Sequence, residues 1–383
     1  MLRIKLPANR PTSTKPPNSI QEASIRDLQQ AAKRIEWFDV AKGMAIIMVT
    51  AFHSNGALEA ANVDTGASDD LHAFLSSFRM PLFSTASGMF ASSAVKGSWG
   101  SLWKRRLETL AWLFFLWSVA LWLFAKVIPL DSDPTFGDEL SNLFKALIRP
   151  SEGIWFLWCL VVFYTFTKLG RLVDDRIVLP GVVALSLAGF VIKGAPAQHG
   201  VLGFVQGSLA YVNAASYLVF FWAGFRYKDL IVEKVPTTAR QVLLAVVVFA
   251  FCRWGSLSAE LLIARAALRF LAACVGVLLL LSLAKGCFHF VPWLAKWLSA
   301  IGGRTVPLYV LQVPIIWTIV VLLADQANGV TDGGVEAGLL HIHLALFVMG
   351  VVQVIDLSAT RLGALWLFTS PRAMMHGARI NPQ

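Results

Sequence analysis

Residues 39–56 read DVAKGMAIIMVTAFHSNG, an apolar stretch that nevertheless contains an acid, a lysine and a histidine. About 20 predominantly apolar residues are enough for a helix to cross the hydrocarbon core of a bilayer. A charged side chain within such a span costs on the order of 3 kcal/mol, so it usually faces a cavity or a partner. The stretch therefore predicts a membrane helix with a polar stripe.

The same apolar pattern recurs through most of the chain. Of its 383 residues, 56% are hydrophobic and only 15% are charged. In soluble domains about 45–50% of the residues are apolar and about 25% are charged. Apolar runs of spanning length lie at 37–55, 73–95, 107–129, 154–172, 177–193, 204–225, 239–255, 264–284, 304–324 and 338–358. Polar residues at four positions from 206 to 216 make the sixth run the weakest. We predict an all-α, polytopic membrane protein with about ten transmembrane helices.

Basic residues concentrate in alternate loops. Seven lysines or arginines precede residue 35, and further groups lie at 96–106, 168–176, 226–240, 285–304 and 361–379. The intervening loops at 58–72, 130–140 and 324–336 are acidic and poor in base. Because basic loops stay in the cytoplasm, both termini are predicted to be cytoplasmic. The net charge of +10 then reflects topology rather than binding of nucleic acid.

The chain divides into three predicted parts. Residues 1–33 are polar and contain four prolines, which predicts a largely disordered cytoplasmic tail with a short helix near 21–33. Residues 34–365 form the transmembrane domain, and 366–383 form a short cytoplasmic tail. The four cysteines are scattered in or beside apolar runs, so they predict neither a disulfide framework nor a metal site.

The ionisable groups of the first run share one helix face. Lys42 and His53 are eleven residues apart, which at 100° per residue returns to within about 20° of the same direction. Their separation along the axis is about 16 Å. Asp39 lies one turn before Lys42 and is placed to neutralise it. The stripe therefore runs from the cytoplasmic edge toward the outer leaflet.

The second run enters from the outside and reads HAFLSSFRMPLFSTASGMF from His72. Because it is antiparallel to the first run, Arg79 reaches a depth similar to that of His53. Pro81 interrupts the helical hydrogen bonding, and the small residues at 84–88 allow a neighbouring helix to approach closely. The two runs predict a polar pocket in the outer half, with His53 facing Arg79.

A purely structural interpretation also exists for each of these residues. A lone intramembrane histidine often serves only as a hydrogen-bonding group, and Asp39 near the interface can extend its carboxylate to water. His53 alone fits either interpretation, but Lys42 on its face and Arg79 at its depth favour a functional site. Arg265 and Arg269, four residues apart, face either a cavity or an acidic partner.

Four segments together resemble the membrane acyltransferase-3 family. Residues 34–53, RIEWFDVAKGMAIIMVTAFH, are similar to the family's first helix, in which a basic residue precedes a histidine by eleven positions. Residues 78–90, FRMPLFSTASGMF, resemble its second helix. Residues 154–158, IWFLW, and 301–312, IGGRTVPLYVLQ, resemble its later motifs. The matches are collinear over residues 34–365, so this part is identified as an acyltransferase-3 domain.

Two positions depart from the family pattern. Lys42 stands where much of the family has arginine, which keeps the charge but loses the planar fork of a guanidinium. Gln312 stands where many members have histidine. The second departure puts a role for that late histidine in doubt here, but leaves His53 unaffected.

The resemblance implies an activity. Family members transfer an acyl group, usually from a cytoplasmic acyl-CoA, to a hydroxyl of a sugar, glycan or lipid-linked acceptor. The implied location is a bacterial-type inner (cell) membrane, with several passes. Acyl-CoA is then a co-substrate and no cofactor is permanently bound. The expected partners are the donor, the acceptor and membrane lipid, with no nucleic acid and no metal.

Catalytic roles follow from the chemistry of two residues. His53 would deprotonate the acceptor hydroxyl or take the acyl group itself, since a neutral imidazole suits either task. Arg79 would stabilise the oxyanion, or hold a thioester or acceptor oxygen. Lys42 would meet the anionic donor, with Asp39 orienting it. Alternatively, Lys42 and Asp39 only pair with each other.

Four further residues are assigned to substrate binding: Trp155, Trp158, Arg105 and Tyr309. Aromatic residues are enriched at both membrane interfaces, so anchoring is the default interpretation of the two tryptophans and sugar stacking is the alternative. Arg105 is first a cytoplasmic anchor and alternatively a contact for CoA phosphates. Tyr309 belongs to the segment that resembles the family near its end.

Two other classes of protein compete with an enzyme. A polar path along the first run also describes a transporter or channel, in which interrupted helices are common. The chain shows no inverted repeat, which weighs against that class. A catalytically inactive family relative is the remaining alternative.

Overall fold

The computed structural model describes residues 18–63, 68–128, 140–150, 153–327 and 335–372, and these residues form helices and connecting turns. The first helices are α1 (Asn18–Ala60), α2 (Ser68–Met89), α3 (Ser92–Lys96), α4 (Trp99–Leu102), α5 (Glu108–Phe124), α6 (Leu140–Ile148), α7 (Trp155–Gly170) and α8 (Asp175–Gly194). They are followed by α9 (Gly200–Gln206), α10 (Leu209–Arg226), α11 (Lys228–Lys234), α12 (Ala239–Ser258), α13 (Leu262–Phe290), α14 (Pro292–Gly303), α15 (Thr305–Ala327) and α16 (Val335–Arg361). A π-helical turn (Trp103–Leu107) joins α4 to α5, and a 3-10 turn (Leu365–Leu367) follows α16.

The prediction of an all-α, multi-pass membrane protein is confirmed. Within the described residues, six helical segments are long and apolar enough to cross a bilayer, and the bent pair α9–α10 makes a seventh. The six are Trp99–Phe124, Asp175–Gly194, Ala239–Ser258, Leu262–Phe290, Thr305–Leu323 and Leu339–Arg361. α1, α2 and α7 are not among the six, because polar residues lower the mean hydropathy of α1 and α2 and because α7 is shorter than the others. The number of ten spans and the cytoplasmic placement of both termini therefore stay predictions.

Both ends of the transmembrane domain differ from the expected boundaries. α1 is one helix of 43 residues that begins at Asn18 and so includes the segment 21–33. The predicted disorder of residues 1–17 lies outside the described residues. After α16, the indole nitrogens of Trp112 and Trp117 donate hydrogen bonds to the carbonyl oxygens of Trp366 and Leu367, at 2.9 and 3.0 Å. The beginning of the predicted C-terminal tail therefore packs against α5.

Two of the predicted apolar runs are interrupted. The second ends at Met89 rather than near residue 95, although α2 continues through Pro81. The sixth bends by 76° between α9 and α10. The side-chain amide of Gln206 donates to the carbonyl oxygen of Ala195 at 2.8 Å and accepts from the backbone of Gln198 at 2.8 Å. Gln206, one of the polar residues that weaken this run in the sequence, thus ties the end of α9 to the segment that precedes it.

Glycines let the helices that hold the ionisable groups pack at short range. A Cβ on Gly88 would overlap the backbone of Phe221, and one on Gly224 would overlap the backbone of Thr85. The predicted close approach at residues 84–88 is therefore confirmed, between α2 and α10. In the same way, a Cβ on Gly302 of α14 would overlap the carbonyl oxygen of Asp39 on α1.

Gly302→Ala should lower the thermal midpoint of the detergent-solubilised protein by several degrees, because overpacking costs about 1–3 kcal/mol. Gly303→Ala is the matched control, since a Cβ at Gly303 meets no atom within 4 Å. Equal midpoints for the two variants would contradict the close α1–α14 contact.

Candidate functional site

His53 and Arg79 meet across α1 and α2, around the ring of Phe52. We call the end of the bundle where α1 ends and α2 begins the outer end, following the predicted topology, and the opposite end the inner end. The guanidinium carbon of Arg79 lies 4.1 Å from the centroid of Phe52, whose ring is 5.3 Å from that of His53. The charge of Arg79 acts directly on His53. The structure therefore brings together the two residues that the sequence assigns to catalysis.

Arg79 is buried, and it has no acidic partner among the described residues. Its side chain is 6% exposed, and its Nη1 has no hydrogen-bond partner among the described residues. Tyr217 is close enough to act on its charge, and the Tyr217 hydroxyl accepts a hydrogen bond of 3.0 Å from Lys193. Neither cation forms an ion pair with a described carboxylate. Because an unsatisfied buried donor is unfavourable, this pocket suits an anionic or oxyanionic ligand.

Two further histidines lie in the same region, and we call the group of side chains formed by His53, Arg79, Phe52, His72 and His341 the outer pocket. The ring of His72 lies 6.0 Å from Phe52 and 4.8 Å from the ring of His341, and both histidines are buried. His72 precedes Arg79 by seven residues, a spacing that returns to the same face of α2. This seven-residue spacing is visible in the sequence, so His72 could have been selected from it. His341 lies on α16, so only the tertiary fold places it here.

Lys42 pairs with Asp39 and also borders a cavity at the inner end. Its ammonium nitrogen lies 2.5 Å from Oδ1 of Asp39 and 5.0 Å from the ring centroid of Phe90. Lys42 also lines a cavity of about 450 Å³ at the inner end, together with residues 302–307, 356, 360, 365 and 368. Pairing with Asp39 therefore coexists with exposure to a cavity.

The inner cavity has the features of an anion-binding site. Arg304 lines it, and its Nη1 lies 2.8 Å from Oδ2 of Asp356, which also lines it. The 23-residue helix α15 begins at Thr305 on the cavity wall. Unpaired backbone N–H groups and the helix dipole favour negative groups at such an N-terminus. We name this space the Lys42 cavity.

A buried hydrogen bond lies between the two ends of the stripe. Thr50, one turn before His53, donates to Oε1 of Gln312 at 2.7 Å and lies 3.0 Å from the carbonyl oxygen of Ile46. Both side chains are fully buried. Gln312, at the position where many family members have histidine, thus presents a neutral amide to α1.

The aromatic residues assigned to substrate binding have distinct surroundings. Trp155 is 7% exposed, and its ring lies 6.3 Å from Tyr217. Its burial makes the interface-anchor interpretation wrong and places it beside the outer pocket. Trp158 is half-buried, with its ring 5.3 Å from Tyr211. The hydroxyl of Tyr309 accepts a hydrogen bond of 3.0 Å from the backbone N–H of Phe156, so it joins α15 to the start of α7.

Arg105 does not join the site. It lies in the π-helical turn Trp103–Leu107, is exposed, and does not line the Lys42 cavity. Among the described residues, no group of three or more His, Cys, Asp and Glu side chains is arranged to hold a metal ion.

Comparison with known proteins identifies the domain. The model of a family described as an acyltransferase domain, the acyltransferase-3 family, matches residues 35–355. No curated protein and no solved structure matches the chain.

Thr50→Val should destabilise the solubilised protein by about 1–3 kcal/mol, because it leaves the buried Gln312 oxygen without its donor. The double variant Thr50→Val/Gln312→Leu should lose less than the sum of the two single variants. Thermal midpoints of the four proteins measure this coupling. Additive losses would show that the two side chains do not interact.

Proposed function

The chain belongs to the acyltransferase-3 family, and we propose that it transfers an acyl group from cytoplasmic acyl-CoA to a hydroxyl of a sugar, glycan or lipid-linked acceptor. The observation that carries the proposal is the outer pocket, in which His53 adjoins the buried guanidinium of Arg79, which has no ion pair with a described carboxylate. A general base beside an oxyanion-stabilising cation is the arrangement that acyl transfer from a thioester requires.

The chemistry follows from these two groups. The neutral imidazole of His53 takes the proton of the acceptor hydroxyl as its oxygen attacks the thioester carbonyl. Arg79 stabilises the negative charge that develops on the carbonyl oxygen. Collapse of the intermediate breaks the carbon–sulfur bond, forms the ester, and expels the CoA thiolate, which takes the proton from His53. In a two-step variant of this proposal, His53 itself first accepts the acyl group.

The Lys42 cavity is the proposed site for the donor's phosphates. Lys42, Arg304 and the N-terminus of α15 supply positive charge there, and Asp39 fixes the direction of the lysine. Lys42 and His53 share one face of α1, about 16 Å apart along the axis. The arm of CoA would have to span this distance past the buried Thr50–Gln312 hydrogen bond to deliver its thioester to His53.

The acceptor is proposed to enter from the outer end. Trp155, with Tyr217 beside it, offers an aromatic wall close to Arg79, and aromatic faces commonly pack against the apolar face of a sugar ring. The proposed location is a bacterial-type cell membrane, with acyl-CoA consumed as a co-substrate. A transporter or an inactive relative would move no label from acyl-CoA to an acceptor.

His53→Ala should abolish transfer of labelled acyl groups from acyl-CoA to an acceptor, with a loss of at least about 100-fold, since general base catalysis contributes at least that much. His343→Ala is the matched control, because His343 is exposed on α16 and its Nδ1 lies 2.9 Å from the carbonyl oxygen of Leu339. Both variants should insert and accumulate normally. Full activity in purified His53→Ala protein would refute the proposed mechanism.

Lys42→Met should raise the KM for acyl-CoA about tenfold, as loss of one charge-assisted phosphate contact predicts, and leave the acceptor KM nearly unchanged. Lys42→Arg should retain most activity, because it keeps the positive charge. Initial rates against each substrate measure the two constants. A lower thermal midpoint with an unchanged donor KM would mean that Lys42 only pairs with Asp39.

A further inference from the structure

Three arginines form a second basic cluster, separate from the outer pocket. Arg253 lies on α12, and Arg265 and Arg269 lie one turn apart on α13. The two helices form a hairpin in which Gly255 packs against the side chain of Leu268. The charges of Arg253 and Arg265 both act on Arg269. We call these residues the arginine cluster.

No described acid neutralises the arginine cluster. None of its members forms an ion pair with a described carboxylate. Arg265 donates through Nε and Nη2 to the carbonyl oxygen of Ala259, at 3.2 and 2.9 Å. Three half-buried cations of like charge repel one another. At the end of the bundle predicted to be outside, arginines are also unfavourable for topology. A bound anion would offset both the mutual repulsion of the three arginines and the unfavourable placement of their charges at the outer end.

The arginine cluster lies nearer the outer end than the outer pocket does. Phe78, the residue before Arg79, contacts α13 at Gly276, and its ring lies 5.6 Å from that of Phe249 on α12. Arg269 is seven residues outward of Gly276, or about 10 Å by helical rise. Arg253 is four residues outward of Phe249, or about 6 Å. The cluster is therefore about 6–10 Å above the level of Arg79.

Lys193 connects the two groups of cations. It donates to the Tyr217 hydroxyl at 3.0 Å, beside Arg79. The next residue, Gly194, lies against Leu262 and the guanidinium of Arg269, since a Cβ at that position would be 3.6 Å from Nη1. The end of α8 therefore lies between the arginine cluster and the pocket that holds His53, and it adds the cation Lys193 there.

We propose that the arginine cluster binds a phosphate group of a lipid-linked acceptor and so places the acceptor's hydroxyl at His53. The proposal rests on the proposed acyl-transfer function and names its acceptor class. Guanidinium forks match phosphate oxygens in paired hydrogen bonds. At the outer end of α12 and α13 they lie where the phosphate of a membrane-embedded lipid would be.

Binding tests the site without requiring turnover. Farnesyl phosphate is titrated into protein in an uncharged detergent and its binding is followed by native mass spectrometry, with farnesol as the uncharged comparison. Arg253→Gln/Arg269→Gln should weaken farnesyl phosphate binding at least tenfold. Lys126→Gln is the control, because Lys126 is an exposed outer cation that stacks on Trp122. The Lys126→Gln variant should bind farnesyl phosphate with unchanged affinity, and so should the His53→Ala variant.

Two outcomes would overturn the phosphate site. One is unchanged binding in the double arginine variant. The other is equal binding of phosphatidylglycerol, which would make the cluster an ordinary lipid contact. In membranes supplied with labelled acyl-CoA, the labelled product should contain phosphorus and be retained by an anion exchanger. A neutral product would overturn the acceptor class, whereas the absence of any product together with intact farnesyl phosphate binding would refute only acyl transfer.

Discussion

The burial of Arg79 is the constraint on which the outer half of the bundle depends. A guanidinium that is 6% exposed in an apolar bundle loses hydration free energy, and interactions within the protein must compensate for that loss. The ring of Phe52 offsets part of this through a cation–π contact, but Nη1 remains without a hydrogen bond. The surrounding helices therefore enclose a group of polar side chains here, with His53 among them, within the apolar bundle.

Short-range helix packing holds this pocket in place. α2 is fixed against α10 through Gly88 and Gly224, and α1 against α14 through Gly302. Because the backbones are in direct contact at these glycines, α2 cannot slide along α10, and α1 cannot slide along α14, without overlap of atoms. The positions of His53 and Arg79 are thus set by glycines that lie one or more turns away from the chemistry.

The sequence predicted the parts of the site that depend on one helix or on two consecutive ones. The stripe of α1 follows from helical periodicity, and the depth of Arg79 follows from the antiparallel direction of α2. His341 and the contact between Gln312 and Thr50 could not be predicted, since they require packing between helices far apart in sequence. The interface interpretation of Trp155 was wrong because hydropathy does not report which face of a helix is buried.

The composition of the Lys42 cavity has a consequence for biogenesis. Its wall combines Lys42 from the first helix with Asp356 and Thr360 from α16 and with Leu365 and Phe368 beyond it. A partly inserted chain that has not yet threaded α16 into the membrane therefore lacks a complete Lys42 cavity. Under the proposed function, such an intermediate could not consume the acyl donor, so transfer would begin only when membrane assembly of the bundle is finished.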